Sequence, residues 1–477
     1  LAAALGAGLL LVSFSLEVTL VVAVLAIIGV ATLLEPLAGL VGALFLGLMR
    51  AYLQAEVPQI PAQIGHVFVF LSVAVWLARG MARRELRIPR VPLWLPLLGF
   101  VGAAWISLWD AVDLAGYGLT EFFKWIEILL VFLLVAERAR ARHLVWLAAG
   151  VLVIGLFQAG VGLYQFGLRG DGPEHFMIPN TDFYRAYGTF EQPNPYAGYL
   201  GLTLALAAGL VAGLLRDEVV RDGHLRSLSD AKLVPTLLLL LTTGLLAASL
   251  FASWSRGAWI GLAAALVAIA AALPRHARWG FLLVGLLAGL ALTAYVAGVV
   301  PQSVIVRLTD FAAGLRLEDV RGVGINDANY AVVERLAHWQ AALEMWRYDF
   351  WTGVGLGCYE AAYADFALIN WPFALGHAHN IYLNLLAETG LLGLVTYLAL
   401  WGAVFWQTWR ATRLTAGLQR GLALGLLGVW THLTVHHLFD NLYVNNVHLL
   451  VGLLLGVLAV LRKPDTKAAH SLAIGET

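Results

Sequence analysis

Two histidines separated by one residue, His377 and His379, stand in Gly376-His377-Ala378-His379-Asn380, directly before a long apolar run that opens Ile381-Tyr382-Leu383. The positive end of a helix dipole favours the neutral imidazole, and a neutral imidazole is a proton acceptor at neutral pH. His379 is therefore a candidate general base, with capping or packing of the helix start as the plain alternative. A His-x-His pair also suits a metal, yet no cysteine or clustered carboxylate nearby in sequence completes a coordination shell, so neither metal nor cofactor is expected. A second chemically active stretch is Ser253-Trp254-Ser255-Arg256-Gly257-Ala258-Trp259, which joins two apolar runs with almost no loop. A permanently charged guanidinium is costly against lipid, so Arg256 should face a polar cavity or an anion unless it snorkels to the interface.

Other polar residues gather around these two. Tyr184-Arg185-Ala186-Tyr187-Gly188-Thr189-Phe190-Glu191-Gln192-Pro193-Asn194 concentrates turn-forming and hydrogen-bonding types before an apolar run. Arg185 and Asn194 are candidate substrate contacts, and Asn194 could equally cap the following helix. Arg335 is a further candidate, although Glu334 beside it offers a simple surface ion pair. Lys124 lies three residues from both Glu121 and Glu127, a spacing that permits pairing on one helix face and leaves an anion site as the other reading. His432, His436, His437 and Asp440 resemble metal ligands by type, but their stretch reads as a polar hairpin cap facing water.

The elements that must carry these residues are membrane spans. Of 477 residues 60% are hydrophobic and 13% charged, against about 45–50% and about 25% in an ordinary soluble domain. Apolar segments long enough to cross a bilayer fall at 1–16, 18–34, 36–53, 64–79, 92–109, 119–136, 144–165, 195–215, 233–252, 257–273, 278–299, 378–406, 420–437 and 443–462. The fold class is an all-α, polytopic membrane protein of about twelve to fourteen spans. Balanced charge, 30 basic against 30 acidic residues, gives no bulk field for nucleic acid, and the single Cys358 excludes an internal disulfide.

Most of the basic residues lie in the connectors Arg79 to Arg90, Arg138 to Arg142, Arg216 to Lys232, Arg275 to Arg278, Arg410 to Arg420 and Arg462 to Lys467. Placed in the cytoplasm, as the positive-inside rule requires, they leave Gly167 to Pro195, Ser253 to Gly257 and about 301–376 together on the outer face. Within that last loop the recurrence of Val332, Leu336, Trp339, Leu343 and Trp346 predicts an amphipathic helix over Asn329 to Trp346. The chain divides into N-terminal spans (1–115), central spans with outer-face loops (116–300), an outer loop (301–376), and C-terminal spans with a tail (377–477).

Taken together, these stretches resemble the O-antigen ligase and polymerase superfamily of bacterial envelope glycan assembly. Its ligase signature, His then Asn, Ser or Gln, nine residues, Gly, two residues and Gly, is similar to His379, Asn380, Gly390 and Gly393. Ser255-Arg256-Gly257-Ala258-Trp259 looks like the superfamily's membrane-embedded arginine motif, and Gly188-Thr189-Phe190 with Pro193-Asn194 like the loop motif before it. Arg335, Trp339 and Gly353-Val354-Gly355-Leu356-Gly357 resemble its outer-loop pattern.

The resemblance implies a GT-C-like membrane glycosyltransferase of the bacterial inner membrane, with its site on the periplasmic side. The donor would be a glycan on undecaprenyl diphosphate. The acceptor would be a hydroxyl of lipid A-core in a ligase, or another lipid-linked glycan in a polymerase. Membrane lipids are the remaining partners, and a solute carrier of the bicarbonate type is a third reading. On this footing Arg256 and Arg335 would hold the leaving diphosphate without a metal. His379 would take the acceptor proton in an inverting displacement, and His377, Asn380, Arg185, Asn194 and Lys124 would contact substrate.

Overall fold

A computed structural model describes residues 16–57, 61, 63–87, 89, 91–179, 181–216, 220–221, 224–225, 230–314, 319–326 and 329–462. The apolar segment 1–16, parts of the connectors at 79–90, 216–232 and 462–467, and the tail after 462 lie largely outside these residues. Its helices are α1 Leu16–Leu34, α2 Pro36–Leu48, α3 Arg50–Glu56, α4 Ile64–Ala82, α5 Trp94–Ser107, α6 Leu119–Arg138, α7 Ala141–Gly167, α8 Pro193–Leu214, α9 Asp230–Ala252, α10 Arg256–Ala272, α11 Ala277–Val296, α12 Gln302–Gly314, α13 Tyr330–Tyr348, α14 Tyr359–Phe366, α15 Ile381–Leu414, α16 Gly417–His436 and α17 Val447–Leu461. Strand structure among the described residues is confined to a two-residue hairpin, Val220–Arg221 against His224–Leu225, and a bridge between Met177 and Tyr184. The protein is all-helical.

Every apolar segment from 18–34 onward is helical, but the spans are less uniform than their hydropathy suggests. Among the described residues six helices are long and apolar enough to cross a membrane: α4, α7, α8, α9, α11 and α15. Helices α2 and α3, bent by 55°, make a seventh if counted as one span. Shorter apolar helices, including α10 and α17, account for much of the remainder. All of Val447–Leu461 is buried, so α17 needs no length matched to lipid; it is a core helix of the bundle.

Small residues bring the central helices together. In α8, a Cβ on Gly209 would sit 2.0 Å from the Gly425 nitrogen, and one on Gly213 would sit 2.5 Å from the Gly421 Cα. The two GxxxG faces of α8 and α16 therefore meet backbone to backbone, as van der Waals packing between spans favours. Gly201 and Gly261 leave room for the His432 ring between the same helices and α10. His432, His436 and His437 are accordingly buried, which corrects the expectation of a water-facing hairpin cap. Arg420 is buried too, donating to the Thr412 carbonyl at 3.0 Å and the Leu273 carbonyl at 2.6 Å.

That last contact marks one end of the bundle. Arg216 also donates to the Leu273 carbonyl, and Arg413 to those of Pro274 and Arg275, so the basic connectors at 216, 274–275 and 413–420 share one end. On another side of the bundle, Glu127 of α6 accepts from His66 Nδ1 of α4 at 2.7 Å and His448 Nε2 of α17 at 2.8 Å. Lys124 therefore pairs with Glu121 and not with Glu127.

The 301–376 loop contains a helix where the sequence predicts one, as α13. Its deepest side is Ala337, His338, Ala341, Ala342 and Met345, one step around from the predicted stripe. Small residues at 337, 341 and 342 let α13 seat closely on the fold, and Leu343 and Trp346 are left half-buried. The following glycine-rich turn locks onto α15. Gly390 breaks that helix at φ 60°, ψ −165°, and Leu391 N–H donates to the Phe350 carbonyl at 2.9 Å while Val354 N–H donates to that of Ala387 at 2.9 Å. A Cβ on Gly390 would lie 2.2 Å from the Trp351 carbonyl carbon, so the kink admits glycine alone.

Candidate functional site

Four arginines from four separate elements line one cavity of about 260 Å3: Arg185 before α8, Arg256 at the start of α10, Arg307 in α12 and Arg335 in α13. The turn between α9 and α10 organises two of them. Trp254 adopts a left-handed φ of 55°, which ends α9 and turns its last carbonyls outward, where cations are favoured. Ser253's carbonyl accepts from Arg185 Nε at 2.8 Å, and Trp254's accepts from Arg307 Nη2 at 3.1 Å. Arg185 Nη2 also donates to Asn194 Oδ1 at 2.9 Å. Asn194 thus orients a guanidinium instead of capping α8, whose cap position is Gln192 followed by Pro193.

The cavity is electrostatically one-sided. Asp440 is the carboxylate among its lining residues, against four guanidiniums. Arg185 has its pKa lowered, by burial first and then by Arg307, Arg256 and Arg335. Arg335 is likewise lowered by burial, with Asp440 opposing and Arg256 adding to the shift. Like charges gathered away from water are relieved by an anion, and guanidiniums bind phosphate oxygens in bidentate fashion. Val332, Leu336 and Trp339, from the apolar stripe that the sequence predicts, form an apolar wall of this cavity.

Asp440 leads from the cavity to the two histidines. Its Oδ1 lies 3.5 Å from His377 Nε2 and 3.6 Å from His379 Nδ1. Burial raises the Asp440 carboxyl, and His377, His379 and His436 around it more than offset that, so it stays below the ordinary carboxylate range. His377 Nδ1 accepts the His379 backbone N–H at 3.0 Å; the proton of a neutral His377 then sits on Nε2, facing Asp440. Burial foremost pushes His377 down to about 4. His379 has a left-handed φ of 51°, the kind of backbone strain that persists where surrounding structure over-determines it. Asn380 holds that geometry: its Oδ1 accepts from Tyr382 N at 3.0 Å and Leu383 N at 3.1 Å, and its Nδ2 donates to the Leu438 carbonyl. Ile381 N–H in turn donates to the His437 carbonyl at 3.0 Å.

The O-antigen ligase family model matches residues 241–398. That stretch, about a third of the chain, is similar to the O-antigen ligase family. Within the match fall Arg256, Arg307, Arg335, the histidine pair, Gly390 and Gly393; Arg185, Asn194 and Asp440 reach the same place from outside it. No curated protein matches the chain.

Arg185, Asn194, Arg256 and Arg335 are brought to one cavity, with His377 and His379 joined to it through Asp440. Lys124 is not among them. It pairs with Glu121 and reaches the Tyr443 carbonyl at 3.4 Å in a separate cavity that His377 also lines. Arg307 and His338 escape the sequence reading, and Asp440 is named there by ligand type alone. Arg307 lies in a stretch without a motif, and its signal is the flanking pair Val304 and Leu308, which pack on the core. Asp440 is given no role there because its neighbourhood reads as solvated. His338, whose Nδ1 lies 3.0 Å from the Tyr359 hydroxyl, has its ring 5.9 Å from that of His379 and is pushed down to about 4, by burial first and then by His379 and His377.

Proposed function

We propose that this protein is an O-antigen ligase-type glycosyltransferase, which moves a glycan from undecaprenyl diphosphate to a hydroxyl of lipid A-core at the periplasmic face of the bacterial inner membrane. The observation that carries the reading is the convergence of Arg185, Arg256, Arg307 and Arg335 on one cavity whose one lining carboxylate among the described residues, Asp440, faces the His377–His379 pair. In the reaction the acceptor oxygen bonds to the anomeric carbon as the bond from that carbon to the diphosphate oxygen breaks. The electron pair leaves on the diphosphate, where the guanidiniums stabilise the charge as it develops. His379 takes the hydroxyl proton on Nε2, and Asp440 holds the ring from the Nδ1 side. The 3.6 Å separation is of the sort that tightens when substrates bind. A single displacement inverts the anomeric centre.

His377, His379 and Asp440 offer ligand atoms within 4.8 Å of one another, a spacing that suits a divalent ion. Against that, Arg335 acts on both His377 and Asp440, and a guanidinium cluster at this range repels a second cation. The reading is therefore metal-independent. A polymerase that uses a second lipid-linked glycan as acceptor fits the same arginine cavity, since the donor chemistry is shared.

The test uses protein in nanodiscs with an undecaprenyl-diphosphate-linked oligosaccharide, lipid A-core and EDTA. Wild type should transfer. His379→Ala should fall by about 10²- to 10⁴-fold, the usual size of general-base assistance, and Arg256→Ala and Arg307→Ala should fall by about 10²-fold or more, as for other charge-stabilising groups. Loss of transfer in EDTA that zinc or magnesium restores would overturn the metal-independent mechanism. Lengthening of the donor glycan without modification of lipid A-core would replace the ligase by the polymerase.

A further inference from the structure

A second cavity, of about 400 Å3, is lined by His377 itself. The two cavities are joined through one contact, since Asp440 of the first is 3.5 Å from His377 of the second. Their charges differ. The arginine cavity has four guanidiniums and one carboxylate; the second has Glu121, Glu360 and Glu388 against Arg50 and Lys124. A strongly anionic diphosphate has no reason to choose the second.

Its lining suits a different ligand. Glu360, Asn384 and Asn441 bring a carboxylate and two carboxamides to the lining. Side chains of this kind hold neighbouring hydroxyls by accepting and donating at once. The Asn384 amide oxygen is taken by Ala378 N–H at 3.0 Å and its NH2 already bonds Glu388 on the same helix, which leaves one N–H of the amide for another partner. Tyr117, 37% exposed, adds an aromatic face, the amphipathic surface that the C–H side of a sugar ring meets. The volume lies within the range of about 300–1,000 Å3 typical of small-ligand pockets.

We infer that this second cavity is the acceptor subsite and binds the terminal sugar of a polyhydroxylated, weakly charged saccharide, whose attacking hydroxyl is presented to the histidine pair from the side opposite the diphosphate. This rests on the transferase reading. It assigns Tyr117, Glu360, Asn384 and Asn441 to acceptor recognition and sets the imidazoles beside the point where the two substrates meet. The attacking hydroxyl and the departing diphosphate then lie on opposite faces of the anomeric carbon, as an inverting displacement requires.

The experiment measures binding by calorimetry in nanodiscs, with undecaprenyl diphosphate as the donor probe and two acceptor probes: the core oligosaccharide of deacylated lipopolysaccharide and the free repeat-unit oligosaccharide. Glu360→Gln and Tyr117→Ala, both at exposed side chains, should weaken an acceptor probe by about tenfold, the loss of one good contact. Both should leave undecaprenyl diphosphate binding unchanged, which also reports an intact fold. Arg256→Ala should do the reverse. Binding of the core probe marks a ligase and binding of the repeat-unit probe a polymerase; either supports the subsite when the two variants weaken it. The inference is overturned if neither saccharide binds wild type, if both variants bind saccharide as wild type does, or if they weaken both classes of probe equally. Failure of wild type to bind undecaprenyl diphosphate would instead sink the transferase reading itself.

Discussion

At the scale of single residues, the site is a set of groups held in states they would not choose in water. His338 and His377 are each pushed from the ordinary histidine range, near 6.5, down to about 4, chiefly by burial. Between those values the unfolded chain binds more protons than the folded one, so each residue costs stability as pH falls from about 6.5 towards 4 and costs nothing above that window. Thermal unfolding in detergent should therefore show a midpoint that drops across this range. His338→Phe and His377→Asn should each flatten the drop; an unaltered slope in both would mean that other groups set it. Residue types alone announced much of this chemistry. Arg256 was legible because a fixed charge between two apolar runs demands a partner, and the histidine pair because it opens a helix. Asp440 was not, because its meaning depends on a packing of α15 against the α16–α17 connection that no local pattern encodes.

At the scale of elements, glycines decide how the site-bearing helices meet. The kink at Gly390 lets the glycine-rich turn after α13 bond into α15, and this ties the outer-loop helix that carries Arg335 to the helix that His379 precedes. Gly390→Ala forces a Cβ against the Trp351 carbonyl at a positive φ. It should destabilise the protein by about 1–3 kcal/mol from backbone strain alone, with further cost from the displaced turn, read as a lowered denaturation midpoint together with reduced transfer. A variant as stable as wild type would show that the turn docks without the kink. The elements themselves were largely readable in the sequence: each apolar segment from 18–34 onward is a helix. The length of the spans was less so, since α17 is apolar through burial inside the bundle and not through exposure to lipid, and hydropathy does not distinguish the two. Periodicity likewise marks the apolar stripe of α13 without saying what the stripe packs against. The helix's close seating uses Ala337, Ala341 and Ala342, while the larger Val332, Leu336 and Trp339 that dominate the periodic signal line a cavity.

At the scale of the whole molecule, the charges divide between two ends. Basic connectors at 216, 274–275 and 413–420 share hydrogen bonds at one, whereas the four site arginines and the histidines gather elsewhere, reached by loops that the positive-inside rule assigns to the opposite side. Cys358 is fully buried, so the native protein offers a quiet background for labelling. A membrane-impermeant maleimide added to intact spheroplasts should react with Gly170→Cys and leave Arg275→Cys untouched until lysis; the opposite pattern would invert the proposed orientation. The arginine cluster has one further consequence if the transferase reading holds. A cage that suits a departing diphosphate suits the departed one just as well, because the carrier lipid keeps both its phosphates after the glycan has gone. Spent carrier should then compete with loaded carrier for the same four guanidiniums, so that turnover in the cell is set less by the displacement than by how quickly a separate phosphatase removes the inhibitor that every cycle creates.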